Sequence, residues 1–138
     1  MKKLLVLILA SVCLLSSFGC SSQNDISKYL KKKDGEQYLI LPISKKEVSV
    51  SSWHDSAKYI KRIDVGLLKA AERKISAEAS QYDDDLYFFL DIHDGYLCLC
   101  TEVIVKFDTP DENGMDHEHV FFRERITKKP VQKSDDQK

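Results

Sequence analysis

The sequence predicts an α+β fold, an antiparallel sheet with a C-terminal three-stranded meander packed against one helical layer. Three observations support this prediction. Two alternating apolar segments flank Asp94 and Gly95, a third such segment lies near the C-terminus, and an apolar stripe with helical spacing follows Asp64. A sheet and a helix that are each apolar on one side are stable when those sides pack together.

The first half of the predicted domain contains two strand signals. The segment EQYLILPI, which begins at Glu36, is mostly apolar, and Pro42 marks the end of a strand or an edge of the sheet. The following segment KEVSVSS alternates weakly between apolar and polar residues, as a half-buried strand does. We therefore expect the globular part to begin near Glu36.

The helical layer is predicted from Asp64 onward, because Asp is a good N-cap. The apolar residues that then share one side of a helix are Leu68, Ala71, Ile75 and Ala79. The charged residues expected to face water are Glu72, Arg73, Lys74 and Glu78. Residues 53–63 either join this helix or form a separate turn, since Gly66 weakens the junction. The acidic run 83–85 ends the helical region as a solvated turn.

The clearest element is the hairpin around Asp94 and Gly95, since Asp-Gly is a strong signal for a two-residue loop. With that loop, the apolar residues of both strands fall on one face, which supports the register. They are Leu86, Phe88, Leu90 and Ile92, opposite Val103, Thr101, Leu99 and Leu97. The segment DHEHVFFRERI adds a third strand if Val103 pairs with Val120.

The same register defines the opposite side of this sheet, which we call the outer face. Its predicted members are Tyr87, Phe89, Asp91, Cys98, Cys100, Glu102, Ile104, His117, His119, Phe121, Arg123 and Arg125. Aromatic and Arg side chains are enriched at binding hot spots. The candidate binding residues are therefore Phe89, Phe121, Arg123, Arg125 and Asp91. Alternatively, residues 21–51 or the chain end cover this face and make a second small core.

Two weaker chemical interpretations also involve the outer face. His117 and His119 point the same way, and Glu102 is a possible third ligand, so these three are the candidates for a metal site. Cys98 and Cys100 have Cβ atoms about 6 to 7 Å apart in an extended strand, too far for a disulfide. Nearby arginines favour a redox thiol, whereas small buried cysteines usually act as packing groups.

Composition and motifs narrow the function classes. The 138-residue chain has a formal net charge of −1 and lacks the clustered basic excess of a nucleic-acid binder. It contains no G-x-S-x-G, no H-E-x-x-H and no phosphate-binding Gly-rich motif. We assign no catalytic residue, no bound metal and no cofactor.

The N-terminus has the layout of an export signal. Lys2 and Lys3 precede the apolar run 4–15, which is too short for a bilayer that needs about 20 residues. The segment SSFGCSS around Cys20 resembles the lipobox of bacterial lipoprotein precursors, although Ser17 and Phe18 depart from its common pattern. The resemblance implies cleavage before Cys20 and acylation of that residue, which would anchor the chain to a bilayer.

These features predict four segments. Residues 1–19 form the signal peptide, and residues 20–35 form a lipidated tether with a short helix capped by Asn24 or Asp25. Residues 36–127 form one domain, and residues 128–138 form a disordered tail. The resemblance also implies a location in the cell envelope, on the outer membrane facing the periplasm if the bacterium has two membranes.

The sequence favours a membrane-anchored protein-binding module, of the assembly-factor or immunity and inhibitor type. Its expected partners are the lipid bilayer, through Cys20, and an envelope or secreted protein; nucleic acid is not expected. The alternative is a small metal- or thiol-dependent periplasmic enzyme that uses His117, His119 and Glu102, or one of the two strand cysteines.

Overall fold

Two antiparallel sheets of three strands each and one α-helix form a mixed α+β fold, in a computed structural model that describes residues 24–50 and 56–132. The strands are β1 (Leu30–Lys33), β2 (Glu36–Ile40), β3 (Glu47–Ser49), β4 (Phe88–His93), β5 (Tyr96–Lys106) and β6 (His117–Arg125). The helix α1 spans Val65–Ala79, and single 3₁₀ helices span Ile26–Tyr29 and Ser56–Arg62. The predicted α+β class is thus confirmed, and the strands before and after α1 form two separate sheets.

The first sheet corrects the interpretation of the segment before Glu36. The predicted short helix is present as the 3₁₀ helix Ile26–Tyr29, which Asp25 caps by accepting from the Ser27 N–H at 3.0 Å. Strand β1 follows and pairs with β2, so ordered structure begins before Glu36 and includes residues expected in the tether. Asp34 and Gly35 form the connecting turn with φ values of 53° and 81°. These two positive values are those of a type I′ hairpin loop.

The second sheet, in the order β4-β5-β6, confirms the predicted register. Asp94 and Gly95 have φ values of 52° and 83°, as a type I′ turn requires. Leu90 lies opposite Leu99 on β5, and Val103 lies opposite Val120 on β6. Because side chains alternate between faces along a strand, this register fixes which residues belong to the outer face.

Helix α1 begins as predicted. The Asp64 carboxylate accepts from the Leu67 N–H at 2.9 Å and so caps the first turn. The predicted stripe of Leu68, Ala71, Ile75 and Ala79 is buried. The expectation that Glu72 faces water is wrong, because Glu72 is 1% exposed. Its carboxylate is directed toward the loop between β2 and β3.

One apolar core connects all of these elements. Leu39 and Val48 of the first sheet belong to the same buried cluster as α1 and the inner face of the second sheet. The described part of the segment 21–51 therefore contributes to this core. The Lys46 ammonium joins the two sheets by donating to the Leu86 carbonyl at 2.7 Å.

The chain after β6 returns to the sheet instead of forming a tail from residue 128 onward. The N–H groups of Val131 and Gln132 donate to the Gly95 carbonyl at 2.7 and 3.1 Å, and Val131 packs against the core. The signal peptide 1–19, Cys20, residues 51–55 and the end of the tail, 133–138, lie outside the described residues. Within residues 24–50 and 56–132, no helix is long and apolar enough to cross a membrane.

Candidate binding surface

The residues of the outer face lie in cross-strand rows of the second sheet. Asp91, Cys98 and Arg125 form one cross-strand row, and Phe89, Cys100 and Arg123 form the next. Glu102 lies opposite Phe121 in a third row, and Ile104 lies opposite His119 in a fourth. The outer face therefore brings together all five candidate binding residues and all three candidate metal ligands.

The outer face divides into a buried part and an exposed part. Cys98 and Cys100 are 3% and 0% exposed, although they point away from the main core. Phe121 and Ile104 are 46% and 55% exposed, and Tyr87, just before β4, is 74% exposed. The cysteines form a small covered layer, and the apolar residues beyond them face solvent.

Two arginines on β6 lie over aromatic rings. The guanidinium carbon of Arg123 is 5.1 Å from the ring centre of Phe121, and that of Arg125 is 3.9 Å from the ring centre of Tyr96. Cation–π contacts of this kind contribute about 0.5 to 1 kcal/mol at exposed sites. They also restrain the two guanidinium groups on the outer face. In the described residues, neither guanidinium forms an ion pair.

The two thiols are packing groups under these arginines. Both are free cysteines, and burial raises the pKa of Cys98 to about 11 and that of Cys100 to about 12, from an ordinary value of 9.0. The Arg123 side chain hydrogen-bonds Cys100, and its charge opposes this rise without outweighing the desolvation. Because a thiol reacts as its thiolate, both cysteines are poor nucleophiles at neutral pH.

The histidines of β6 are paired with carboxylates. His119 Nδ1 contacts Glu102 Oε1 across the strands, and His117 Nδ1 lies 2.7 Å from Asp116 Oδ1. The two imidazole rings meet edge to face, with centres 5.3 Å apart. Across residues 24–50 and 56–132, no group of three or more His, Cys, Asp or Glu side chains has the arrangement of a metal site.

Tyr96 was not among the predicted members of this surface. Tyr96 has the same parity along β5 as Cys98 and Cys100, and its ring supports the Arg125 guanidinium. The two-residue period of the strand was sufficient to place it on the outer face. Among the other candidates, Phe89 and Asp91 are half-buried, and the Asp91 carboxylate accepts from the Ile92 N–H at 2.8 Å.

Comparison with known proteins gives no relative from which a function could be transferred. No protein-family model, no curated protein and no solved structure matches this chain significantly. The functional argument therefore rests on the geometry of the chain itself.

Proposed function

We propose that this chain is a lipid-anchored protein of the cell envelope that binds an acidic protein partner through the exposed part of the outer face. Cys20 carries the anchor in this proposal. The observation that supports it best is the stack of Arg123 on Phe121, a cation held over an aromatic ring that is itself 46% exposed. Trp, Tyr and Arg are the residue types most enriched at binding hot spots, and a partly exposed ring is available for contact.

The charges of the outer face indicate the chemistry of the partner. Glu102 and Asp116 are each engaged by a histidine, whereas Arg123 and Arg125 have no carboxylate partner in the described residues. An Arg fork binds a carboxylate through two parallel hydrogen bonds. The partner surface that fits therefore carries acidic side chains for the arginines and apolar groups for Phe121 and Ile104. An assembly factor or an inhibitor of a secreted protein is the class of function that uses such a surface.

The lipid anchor complements this surface. A chain held at the bilayer meets envelope partners at a raised effective concentration, which strengthens a modest interface without new contacts. The envelope location follows from the lipobox-like segment around Cys20. In a bacterium with two membranes, the proposed site is the outer membrane, with the domain facing the periplasm.

Membrane fractionation tests the anchor. Cys20→Ala is expected to release the chain from the membrane fraction or to leave an unprocessed precursor, because no acyl chain can be attached. Cys13→Ala is the matched control within the same apolar segment and should change little. Normal membrane association and lipid labelling of the Cys20 variant would contradict the proposal.

Binding measurements on the full chain in a neutral detergent test the surface. Once a partner is identified by cross-linking, Phe121→Ala and Arg123→Ala should each weaken its binding by about 2 kcal/mol. Arg73→Ala, at an exposed site on α1, is the control and should bind like the native chain. Phe121→Ala should also destabilise the fold by less than the about 3 to 5 kcal/mol typical of a buried Phe. Equal binding by all three variants would contradict the proposed surface.

The enzyme alternative makes a different prediction. It requires a metal bound by His117, His119 and Glu102, or a reactive thiol at Cys98 or Cys100. Stoichiometric metal in the purified chain that is lost in His117→Ala or His119→Ala, while Phe121→Ala retains it, would favour this alternative over binding. The burial and raised pKa of both cysteines give the thiol version no support.

A further inference from the structure

The end of β6 and the beginning of α1 meet at a cleft on a different part of the molecule. The Asp64 N–H donates to the Ile126 carbonyl at 2.8 Å, which places Thr127 beside the first turn of α1. The Asn24 side chain closes the opposite wall, where its Oδ1 accepts from the Val65 N–H at 3.1 Å. The resulting open cleft has a volume of about 250 Å³. One water needs about 10–15 Å³ of space measured in this way, so the cleft has room for a phosphate group.

The cleft carries an excess of positive charge. Its walls contain four basic side chains and one acidic one: Lys61, Arg62, Lys128, Lys129 and Asp64. The Asp64 carboxylate is already engaged, since it lies 3.2 Å from the Lys128 ammonium and caps α1 through the Leu67 N–H. In the described residues, Lys61 and Lys129 have no ion-pair partner. An anion entering the cleft would therefore meet more positive than negative charge.

A buried hydroxyl at this cleft has no hydrogen-bond partner. Thr127 is 2% exposed, and its Oγ1 is the buried side-chain oxygen or nitrogen that stays unpaired among residues 24–50 and 56–132. An unpaired buried hydroxyl costs about 1 to 3 kcal/mol, so it calls for a specific explanation. Because Thr127 lines the cleft, rotation of its side chain would turn this hydroxyl toward a ligand oxygen, which would accept a hydrogen bond from it and remove the cost.

The N-terminal end of α1 also favours an anion in the cleft. The first turn of an α-helix carries a partial positive charge, and an anion near it is stabilised by about 0.3 to 1 kcal/mol. The N–H groups of Val65 and Leu67 are already satisfied by Asn24 and Asp64. The side chains of the cleft, and above all the Thr127 hydroxyl, must therefore make the direct contacts.

We propose that this cleft binds a phosphate group. A phosphate has several acceptor oxygens, so one can take the Thr127 hydroxyl proton in a hydrogen bond while others face the ammonium groups of Lys61 and Lys129. Lysine is a common phosphate ligand because it acts as a point charge that adapts to the oxygen positions. This binding site is separate from the outer face and does not depend on the proposed protein partner.

Two sources of phosphate fit this chemistry, a free phosphate compound and an anionic lipid headgroup. Asn24 follows Cys20 by only four residues, and an extended chain spans at most about 3.6 Å per residue. If Cys20 is acylated, as proposed above, Asn24 and the cleft lie within roughly 15 Å of the anchored residue. A headgroup of the same bilayer would then be within reach.

Titration with inorganic phosphate tests the site in the full chain, held in a neutral detergent. Phosphate should raise the melting temperature more than chloride at equal ionic strength, and amide NMR signals of residues 61–66 and 126–130 should shift with it. Thr127→Val and Lys129→Gln should each weaken phosphate binding at least fivefold. Thr127→Ser, which keeps the hydroxyl, and Lys106→Gln, at the far end of β5, should bind like the native chain. Thr127→Val should be no less stable than the native chain without phosphate.

Lipid nanodiscs distinguish the two sources. The full chain in discs that contain phosphatidylglycerol should show slower amide exchange at residues 61–66 and 126–130 than in phosphatidylcholine discs, and Thr127→Val should remove the difference. That result supports a headgroup, whereas a response to inorganic phosphate alone supports a free phosphate compound. No response in either experiment, or undiminished binding by both Thr127→Val and Lys129→Gln, would overturn the phosphate site. Neither result depends on partner binding at the outer face.

Discussion

The Glu72 carboxylate on α1 accepts a hydrogen bond from the Ile43 N–H at 2.7 Å, and its second oxygen accepts from the Ser44 N–H at 2.9 Å. Glu72 is 1% exposed, so this contact lies inside the molecule, between the helix and the β2–β3 loop. Hydrogen bonds to a charged group contribute about 1.5 to 3 kcal/mol each. These two hydrogen bonds therefore link the β2–β3 loop of the first sheet to helix α1, which packs against the second sheet.

Glu72→Ala should lower the free energy of unfolding by about 3 kcal/mol or more, because it leaves two N–H groups without their acceptors. Glu72→Gln should cost less, since its amide oxygen still accepts one of them. Urea denaturation measures both values. Glu78→Ala on the exposed side of α1 is the matched control and should cost less than about 0.5 kcal/mol. An equal cost at the two positions would contradict the role of Glu72.

The two Asp-Gly turns provide a second prediction, with a control built into the chain. Gly35 and Gly95 have nearly the same φ, 81° and 83°, and an alanine at either position is strained by about 1 to 2 kcal/mol. A Cβ at Gly35 would meet no atom within 4 Å, whereas at Gly95 it would lie 2.7 Å from the Gln132 carbonyl oxygen. Gly95→Ala should therefore destabilise the fold clearly more than Gly35→Ala.

Denaturant titration of the two glycine variants gives the comparison. Hydrogen exchange at Val131 and Gln132 should become faster in Gly95→Ala only, since their N–H groups donate to the Gly95 carbonyl. Equal stability losses in the two variants would mean that residues 130–132 are not held against the hairpin.

The buried thiols predict a loss of stability at alkaline pH. The folded-state pKa of Cys98 and Cys100 is raised by burial to about 11 and about 12, from an ordinary value of 9.0. Above pH 9 the unfolded chain loses these protons while the folded chain keeps them, so ionisation favours unfolding. The contribution of the thiols is thus complete below pH 9 and falls as pH rises toward 12.

Urea titrations at several pH values between 8 and 11 measure this effect. The free energy of unfolding of the native chain should fall more steeply with pH than that of a Cys98→Ala, Cys100→Ala double variant, which lacks both groups. At pH 8, alkylation of the thiols should follow the unfolding rate. Rapid alkylation of the folded chain would contradict their burial and reopen the thiol-enzyme alternative.

Much of the second half of the fold was predictable because its signals are local. The loop at Asp94 and Gly95 set the register of β4 and β5, and the spacing to Val120 then placed β6. The same dipeptide at Asp34 and Gly35 closes a hairpin that the sequence analysis did not predict, and the three lysines before it lack the apolar alternation of a strand. Strand β1 is an edge strand, where lysines are common and protect against aggregation.

The features that were not predicted depend on contacts between distant parts of the chain. Glu72 looks like an exposed helix residue until the β2–β3 loop is placed over it. The cleft at Thr127 exists because the end of β6 meets the start of α1, which no periodicity reveals. The Arg125 guanidinium lies over the ring of Tyr96 on the neighbouring strand. The sequence pattern predicts the face on which each of these side chains lies, but it does not predict that they are in contact.

Photo-cross-linking in intact cells tests the central proposal, binding through the outer face, most directly. Ile104 on the outer face is 55% exposed and Ile43 in the β2–β3 loop is 50% exposed, so they form a matched pair on different parts of the surface. A photoreactive amino acid placed at each position of the full chain reports what lies next to it.

The proposal predicts a discrete cross-linked protein from position 104 and not from position 43. The product should diminish when Arg123→Ala is introduced, and the contacted segment of the partner should carry Asp or Glu side chains. No product from position 104, or the same product from both positions in equal yield, would contradict binding through the outer face.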